Sequence, residues 1–297
     1  MKIDLHVHST HSDGTWSVSN LLKYAEKNNI SALCVTDHDN FSGSIEAQKI
    51  KKEIYSGILI SGIELSTLIE GFTVHLLAYF NIKLENVSID LKQLLTEIKY
   101  SRVNRMKKMI NNAQKLGIDI SYEDILAEAS KDIDGKSTQP IDILSRPHLA
   151  RVLIEKGYVQ NFEKAFDIYL NEGGSLYASR YTPTADEIIP LIKKNRGLVI
   201  WAHPMHGLKE NMVSLTNVAM TLLHHGIDGV ERYYNYEDKY PISQNFESKG
   251  NKFLDKFLLE NNLLKTSGGD FHGNVGQLGM DIDQKDWDLF YSKLLSL

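Results

Sequence analysis

Two histidines two residues apart open this chain, His6 and His8 in Asp4-Leu5-His6-Val7-His8. Side chains alternate along a strand, so both imidazoles point to one face and can reach one ion. Five residues on, the turn Ser12-Asp13-Gly14 offers a carboxylate back toward the same place. Asp270-Phe271-His272 repeats the two-apart spacing near the other end of the chain. Between these clamps lie His38, Glu64, His75 and His203. Each has an ordinary alternative when taken alone. His75 could be a satisfied core histidine, His38 a helix cap, Glu64 a lysine partner, and His203-Pro204 a turn. Taken together the nine offer imidazole and carboxylate donors and no thiolate, which suits Zn, Fe(II) or Mn. Nine donors are too many for one ion, so two or three are expected. Ions about 3.5–4 Å apart can activate a hydroxide and stabilise a phosphoryl oxygen, which is the chemistry of phosphoester hydrolysis.

Such residues need elements that bring them together. Apolar runs at 3–7, 32–36, 58–65 and 72–80 read as strands, with helices over 17–29 and 42–55 between the first three. That alternation predicts a parallel sheet, and the short turn at Gly71 predicts a hairpin between the third and fourth strands. From about residue 83 the pattern becomes helical, over 91–116, 122–130, 147–156 and 161–170, with a polar exposed loop at 131–139. The alternation resumes with a helix over 184–195, capped by Thr184 with Glu187 three residues later, and strands at 198–202, 229–233 and 264–267. Helices at 215–225, 243–261 and 283–297 complete the pattern. The fold expected is α/β: a distorted seven-stranded (β/α)7 barrel of the TIM type, from residues 1–82 and 182–297, with a helical insertion at 83–181 covering its mouth. The candidate ligands fall at or just after strand ends, and in such barrels the C-terminal strand ends form the active site.

Composition narrows the partners. The 297 residues are 42% apolar and 24% charged, with a formal net charge of -5. That disfavours a surface that tracks long nucleic acid but allows a local pocket for a phosphorylated substrate. The single cysteine, Cys34, lies in an apolar run and reads as a core residue. With no basic-apolar leader and no run long enough to cross a bilayer, a cytoplasmic location is expected and no membrane partner.

The motifs Asp4-Leu5-His6-Val7-His8 with Ser12-Asp13-Gly14, Thr36-Asp37-His38, Gly62-Ile63-Glu64, His75 to Tyr79, Ala202-His203-Pro204 and Gly269-Asp270-Phe271-His272-Gly273 resemble the pattern of the polymerase-and-histidinol-phosphatase (PHP) family. The closest resemblance is to its stand-alone phosphoesterases, which act on nucleoside monophosphates, nucleoside 3′,5′-bisphosphates or short oligonucleotides. Their helical insertion follows the His-x-x-x-Tyr strand and opens with an Arg-Pro-His helix, matched here by Arg146-Pro147-His148. The resemblance implies one ion on His6, His8, Glu64 and Asp270, a second on Glu64, His75 and His203, and a third on Asp13, His38 and His272. Gly269 stands where the family often has serine, and His11 stands where a small or hydroxylic residue is usual; His11 is read as a surface residue.

For the substrate, Arg146 can grip phosphate through its planar fork, and His148 can bind phosphate or protonate a leaving alkoxide. Both could instead cap the helix at Pro147. Arg180 can reach the same phosphate or lie solvated on the surface. Tyr233, Tyr234 and Tyr236 could stack on a base or pack in the core, and His206, His224 and His225 are assigned no function. The expected activity is removal of phosphate from a small nucleotide, of the AMP or 3′,5′-bisphosphate type, by a metal-activated hydroxide. Alternatives are a 5′-3′ exonuclease on short oligonucleotides, a histidinol-phosphatase-like activity, and a non-catalytic metal-binding module. An amidohydrolase is a further rival, but the carbamylated lysine usual at its strand ends has no counterpart here.

Overall fold

In the computed structural model, residues 1–133, 143–237, 240–273 and 276–297 are described. The chain begins with two βα units: β1 (Lys2–Val7), α1 (Val18–Lys27), β2 (Ala32–Val35) and α2 (Ser42–Ile54), followed by β3 (Ile58–Ile69). β1, β2 and β3 run parallel. The Ser17 side chain caps α1 by accepting from the Asn20 N–H, and Leu21, Leu22 and Ala25 turn that helix's apolar face inward. β4 (Phe72–Phe80) returns antiparallel to β3. The two-residue turn between them holds Glu70 and Gly71 at φ of 51° and 78°, the left-handed pair that a tight hairpin requires.

β5 (Gly197–Trp201) pairs antiparallel with β4, and β6 (Gly229–Tyr233) and β7 (Leu264–Ser267) continue parallel. An eighth strand, β8 (Met280–Asp281), pairs antiparallel with the free edge of β1. It was not among the seven strands expected, because two residues are too few to show a period. The strand order is β7-β6-β5-β4-β3-β2-β1-β8. The barrel nearly closes where Val7 bridges Phe271: the His8 N–H donates to the Phe271 carbonyl at 2.9 Å. The Asp4 carboxylate ties this seam by accepting from the Gly269 and Gly279 N–H groups at 3.0 and 2.8 Å.

Ala32 and Cys34 of β2 pack in one cluster with Ile3, Leu5, Tyr79, Ile200 and Phe290, while Leu33 and Val35 pack in another under α1 and α2. β1 should alternate in the same way, yet Val7 packs with the helix-facing set although Ile3 and Leu5 belong to the other. The cause is one extra residue in β1, between the pairs Asp4↔Leu33 and Val7↔Val35. This bulge reverses the parity of the strand end and sends His6 and His8 to the inner side.

From the fourth strand the chain enters a short 3-10 turn and then α3 (Ile89–Lys115), α4 (Tyr122–Ala129), α5 (Arg146–Glu155) and α6 (Phe162–Ala165), which continues as a π-type turn to Leu170. Leu91, Leu94 and Ile98 of α3 pack into the barrel's outer core. Met106, Met109, Ile110 and Ala113 belong instead to a separate core with Ile125, Leu149, Leu153 and Leu170. One helix therefore spans two cores. The loop expected at 131–139 falls outside the described residues from 134 on. α7 (Ala185–Lys194), α8 (Met212–His224), α9 (Gln244–Glu260) and α10 (Gln284–Leu295) complete the barrel. Thr184 and Glu187 form the expected capping box on α7. No helix among the described residues is long and apolar enough to cross a membrane.

Candidate metal centre and phosphate pocket

The nine candidate ligands converge on one rim of the barrel, and Glu64 is at the middle. Its Oε1 lies 3.2 Å from His6 Nε2, 2.9 Å from His75 Nδ1 and 3.2 Å from His203 Nε2. Its Oε2 lies 3.1 Å from His8 Nε2 and 3.0 Å from His38 Nδ1. Asp270 Oδ1 approaches His6 Nε2 at 3.4 Å and His8 Nε2 at 3.1 Å. Asp13 Oδ1 stands 3.2 Å from His272 Nε2, and Asp13 Oδ2 stands 3.7 Å from His38 Nε2. Glu64 is not at a strand end as expected but near the middle of the twelve-residue β3. That strand runs past the rim with its hairpin partner, and so His75, in the first half of an antiparallel strand, also faces the mouth.

Three groups of ligand atoms lie within 4.8 Å of one another: His6, His8, Glu64 and Asp270; His8, Asp13, His38 and His272; and His38, Glu64 and His75. His203 Nε2 is 3.3 Å from His75 Nδ1 beside the third group. His8 and His38 thus face two groups each, beyond the partition that the family resemblance implies.

The site fits divalent cations on its own geometry. Among the described residues eight buried polar side-chain atoms lack a hydrogen-bond partner, and five are here: His6 Nε2, His8 Nε2, Asp13 Oδ1, His38 Nδ1 and Glu64 Oε2. Each such atom costs about 1–3 kcal/mol if nothing meets it, and all five are lone-pair donors to a metal. Burial alone would push Asp13 and Glu64 up, but the surrounding imidazoles hold both well below the usual carboxylate range. Burial likewise opposes charge on His8, and Asp270 and Glu64 overcome it, pushing the ring up to about 9. Backbone strain collects at the same rim: His203 and Asp270 adopt φ of 26° and 49°, a left-handed conformation costly for residues with a Cβ.

The loop bearing Asp13 is anchored by Asp37, which accepts from the Ser9 N–H at 2.8 Å and from the Ser9 and Ser12 hydroxyls at 2.6 Å. His11 lies outside the three groups and bonds Glu46 at 2.6 Å. Tyr236 packs in the core and accepts the Met205 N–H, whereas the Tyr234 hydroxyl donates to Asp270 at 3.3 Å.

A second set of residues comes from α3, α5 and the segment that leads to α7. Arg102 of α3 donates through Nε to Asp39 at 2.7 Å, and Arg180 Nη2 lies 3.6 Å from the same carboxylate. The Arg180 side chain is 8% exposed, so it is buried rather than solvated. Arg105 donates to the Ala178 carbonyl at 2.8 Å and stands 5.5 Å over the Tyr177 ring. Arg146 donates to the Leu170 carbonyl at 3.2 Å and stands 5.4 Å over Phe166. Among the described residues only Asp39 opposes these four guanidiniums with a carboxylate. Burial, and then repulsion from the other arginines, draws Arg105 down to about 9. Burial and Arg102 do the same to Arg180. Arg151 joins the helical segment to the ligand loop by donating to the Asp13 carbonyl at 2.6 Å.

His148 is placed differently from a proton donor. Its Nδ1 accepts from the Ser145 N–H at 3.1 Å in a capping box at the start of α5. Burial, helped by Arg151, pulls the ring down to about 3, so it is neutral near pH 7. Arg146 and Arg180 are expected at the site from the sequence, whereas Arg102, Arg105, Arg151 and Glu231 are not. Arg102 had a signal: it falls on the inward stripe Leu91, Leu94, Ile98, Met106. Glu231 had no comparable signal, since it lies between Asp228 and Arg232 in Asp228-Gly229-Val230-Glu231-Arg232.

The sequence profile described as the PHP domain matches residues 4–294. A 5′-3′ exoribonuclease from Haemophilus influenzae is 30% identical over 300 residues, spanning 97% of this chain and 99% of that protein. A 3′,5′-nucleoside bisphosphate phosphatase from Chromobacterium violaceum is 26% identical over 203 residues, spanning 68% of this chain and 66% of that one. A solved chain from Bifidobacterium adolescentis shares the fold with a TM-score of 0.78 at 23% identity, over 98% of this chain and 95% of that one.

Proposed function

Because the chain belongs to the PHP domain family, and is thus a metal-dependent phosphoesterase, we propose that it hydrolyses the phosphate monoester of a small nucleotide, of the AMP or nucleoside 3′,5′-bisphosphate type. The observation that supports this most is the meeting of two unlike surfaces. A rim of lone pairs that calls for cations faces a wall of arginines that calls for an anion, and a phosphate lying on divalent ions satisfies both.

In this reading His6, His8, Glu64 and Asp270 hold one ion, Glu64, His75 and His203 a second, and Asp13, His38 and His272 a third. Bound divalent ions supply Lewis-acid stabilisation of phosphoryl oxygens and a nucleophile from water at neutral pH. The chain's own groups do the positioning. Arg146 and Arg180 grip the phosphate oxygens, and Arg102 holds Asp39 beside His38 so that this edge of the pocket keeps its shape. A buried guanidinium pair loses little entropy on binding and meets phosphate in bidentate fashion. His148 shapes the α5 start from which Arg146 projects. The described residues of the segment 83–181 act as the cap that keeps bulk water from the reacting ester.

A second reading uses the same site as a 5′-3′ exonuclease on short oligonucleotides. Its support is the Haemophilus influenzae exoribonuclease, which this chain matches over nearly its whole length. A non-catalytic role does not survive membership among phosphate-ester hydrolases. The test is product release, with Mn supplied, from AMP, adenosine 3′,5′-bisphosphate, histidinol phosphate and 5′-phosphorylated di- to pentanucleotides. Turnover highest on the mononucleotides is expected. Turnover on the oligomers alone moves the assignment to the exonuclease, and turnover on histidinol phosphate alone rejects both.

A further inference from the structure

Every strand from β1 to β7 except β6 places a candidate ligand at the mouth, within the strand or just after it. β6 instead places Glu231, whose side chain is fully buried beneath that layer. Its Oε1 lies 3.0 Å from His6 Nδ1, and its Oε2 lies 3.3 Å from the same nitrogen. Oε2 also accepts the His203 backbone N–H at 2.8 Å. One carboxylate therefore touches two candidate ligands from opposite sides of the barrel, β1 and the end of β5. Gly268, after β7, allows this: a Cβ there would strike both Glu231 and His6.

We propose that Glu231 is a positioning residue of the metal centre, which sets the His6 tautomer and holds the strained His203 backbone so that both rings reach Glu64. The proposal rests on the metal-centre reading above. A carboxylate against Nδ1 keeps the proton on that nitrogen, so the lone pair lies on Nε2. Nε2 is the atom facing Glu64 and Asp270, and it is one of the five without a hydrogen-bond partner. The opposite tautomer would aim a proton at the ion site. At His203 the N–H bond to Oε2 holds a residue at φ 26°, a conformation that an unsupported backbone would leave. Oε1 faces His6 Nδ1 and Oε2 faces both that nitrogen and the His203 N–H, so each oxygen position meets a donor. Glutamine has one acceptor oxygen, so Glu231→Gln must turn an NH2 toward one of the donors.

The experiment compares the parent, Glu231→Gln and Glu231→Asp as purified full-length chains. Mn affinity is titrated, Mn content after gel filtration is measured by mass spectrometry, and Tm is taken in EDTA and in saturating Mn. Outer-shell partners of ligating histidines typically contribute about 10–100-fold in metal affinity. Glu231→Gln is expected to bind Mn at least tenfold more weakly and to lose most of the Mn-induced rise in Tm. Its Tm in EDTA should remain near the parent's, and Glu231→Asp should fall between. The proposal is overturned if Glu231→Gln binds Mn as the parent does. It is equally overturned if the variants lose stability in EDTA yet keep the full Mn-induced rise, or stay unfolded in both, because each result assigns Glu231 to core packing. A parent that binds no Mn removes the metal-centre reading itself, a result seen before any variant is made.

Discussion

The rim of the barrel and the helical wall above it are built on opposite plans. The rim takes its side chains from strands and tight strand-end loops, and each is held by the sheet register or by a buried carboxylate such as Asp4 or Asp37. The wall takes its side chains from α3, α5 and the exit of the helical segment, and much of that segment packs in a core of its own. The rim has lone pairs without partners. Among the described residues the wall sets four guanidiniums against one carboxylate, Asp39. Neither is satisfied by the chain alone, and the two deficits are of opposite sign. On the reading proposed above, the two deficits have different answers: ions held by the rim and the phosphate of a substrate held by the wall.

The comparison breaks most sharply at His8, which faces two of the three ligand groups. His8→Ala should lose bound Mn and lower kcat by more than about a hundredfold, beyond the loss expected from an outer-shell partner. Metal analysis and single-turnover assays check it. A variant with full metal content and activity would remove the rim from the mechanism. Next in size is the joint between the regions. Arg102→Ala leaves the buried Asp39 with the Ser66 N–H at 3.1 Å and, as its nearest guanidinium among the described residues, Arg180 at 3.6 Å. Breaking a buried ion pair costs about 3–5 kcal/mol. Urea unfolding should show a loss toward the lower end, and an unchanged midpoint would mean that Arg180 replaces Arg102 entirely.

The wall by itself should act on binding. Arg146→Ala removes one charged hydrogen-bond donor, worth about 1.5–3 kcal/mol, so KM should rise about 10- to 100-fold with kcat nearly kept. A fall in kcat with unchanged KM would instead give Arg146 a role confined to the transition state. The smallest effect lies at the far side of the helical segment, in the capping box of α4. There Lys156, with the Ser121 N–H, holds Asp124 at about 2, below its ordinary 3.8. A lowered carboxylate stabilises the fold fully above its unfolded pKa, and that contribution fades as pH falls from about 4 to about 2. Asp124→Asn should flatten the pH dependence of unfolding in this window and leave Mn binding unchanged. A slope equal to the parent's would show that the cap is too exposed to matter.

Most of the rim could be read before any coordinates. Glu64 and His75 lie within their strands, but most of the candidate ligands are polar types at or just past the end of an apolar strand, a contrast that periodicity exposes. The matched spacings of His6 with His8 and Asp270 with His272 strengthened it. The wall was read only in part. Arg146 stands out through the resemblance of Arg146-Pro147-His148 to the family pattern, and Arg180 through its place after Gly173-Gly174 at the exit of the segment, but Arg102 and Arg105 lie in a helix crowded with lysine and arginine. Only the inward stripe separates Arg102 from its exposed neighbours. The family resemblance and the need for a general acid make His148 a candidate acid or phosphate ligand in the sequence. The structure commits its Nδ1 to Ser145 and buries the ring, and no sequence pattern shows burial of that kind.

The sequence alone determined the α/β order, the helical segment, the caps at Ser17 and Thr184, and the set of side chains able to hold ions. These depend on residue type and on spacing within one element. It also determined that His6 and His8 share a face, since a strand alternates with period two. Which face that is, the tertiary structure decided. The extra residue in β1 reverses the parity begun by Ile3 and Leu5, and a bulge exists only against a partner strand. The contact of Glu231 with both His6 and His203 was decided in the same way, because it requires a barrel that brings β1, β5 and β6 around one point.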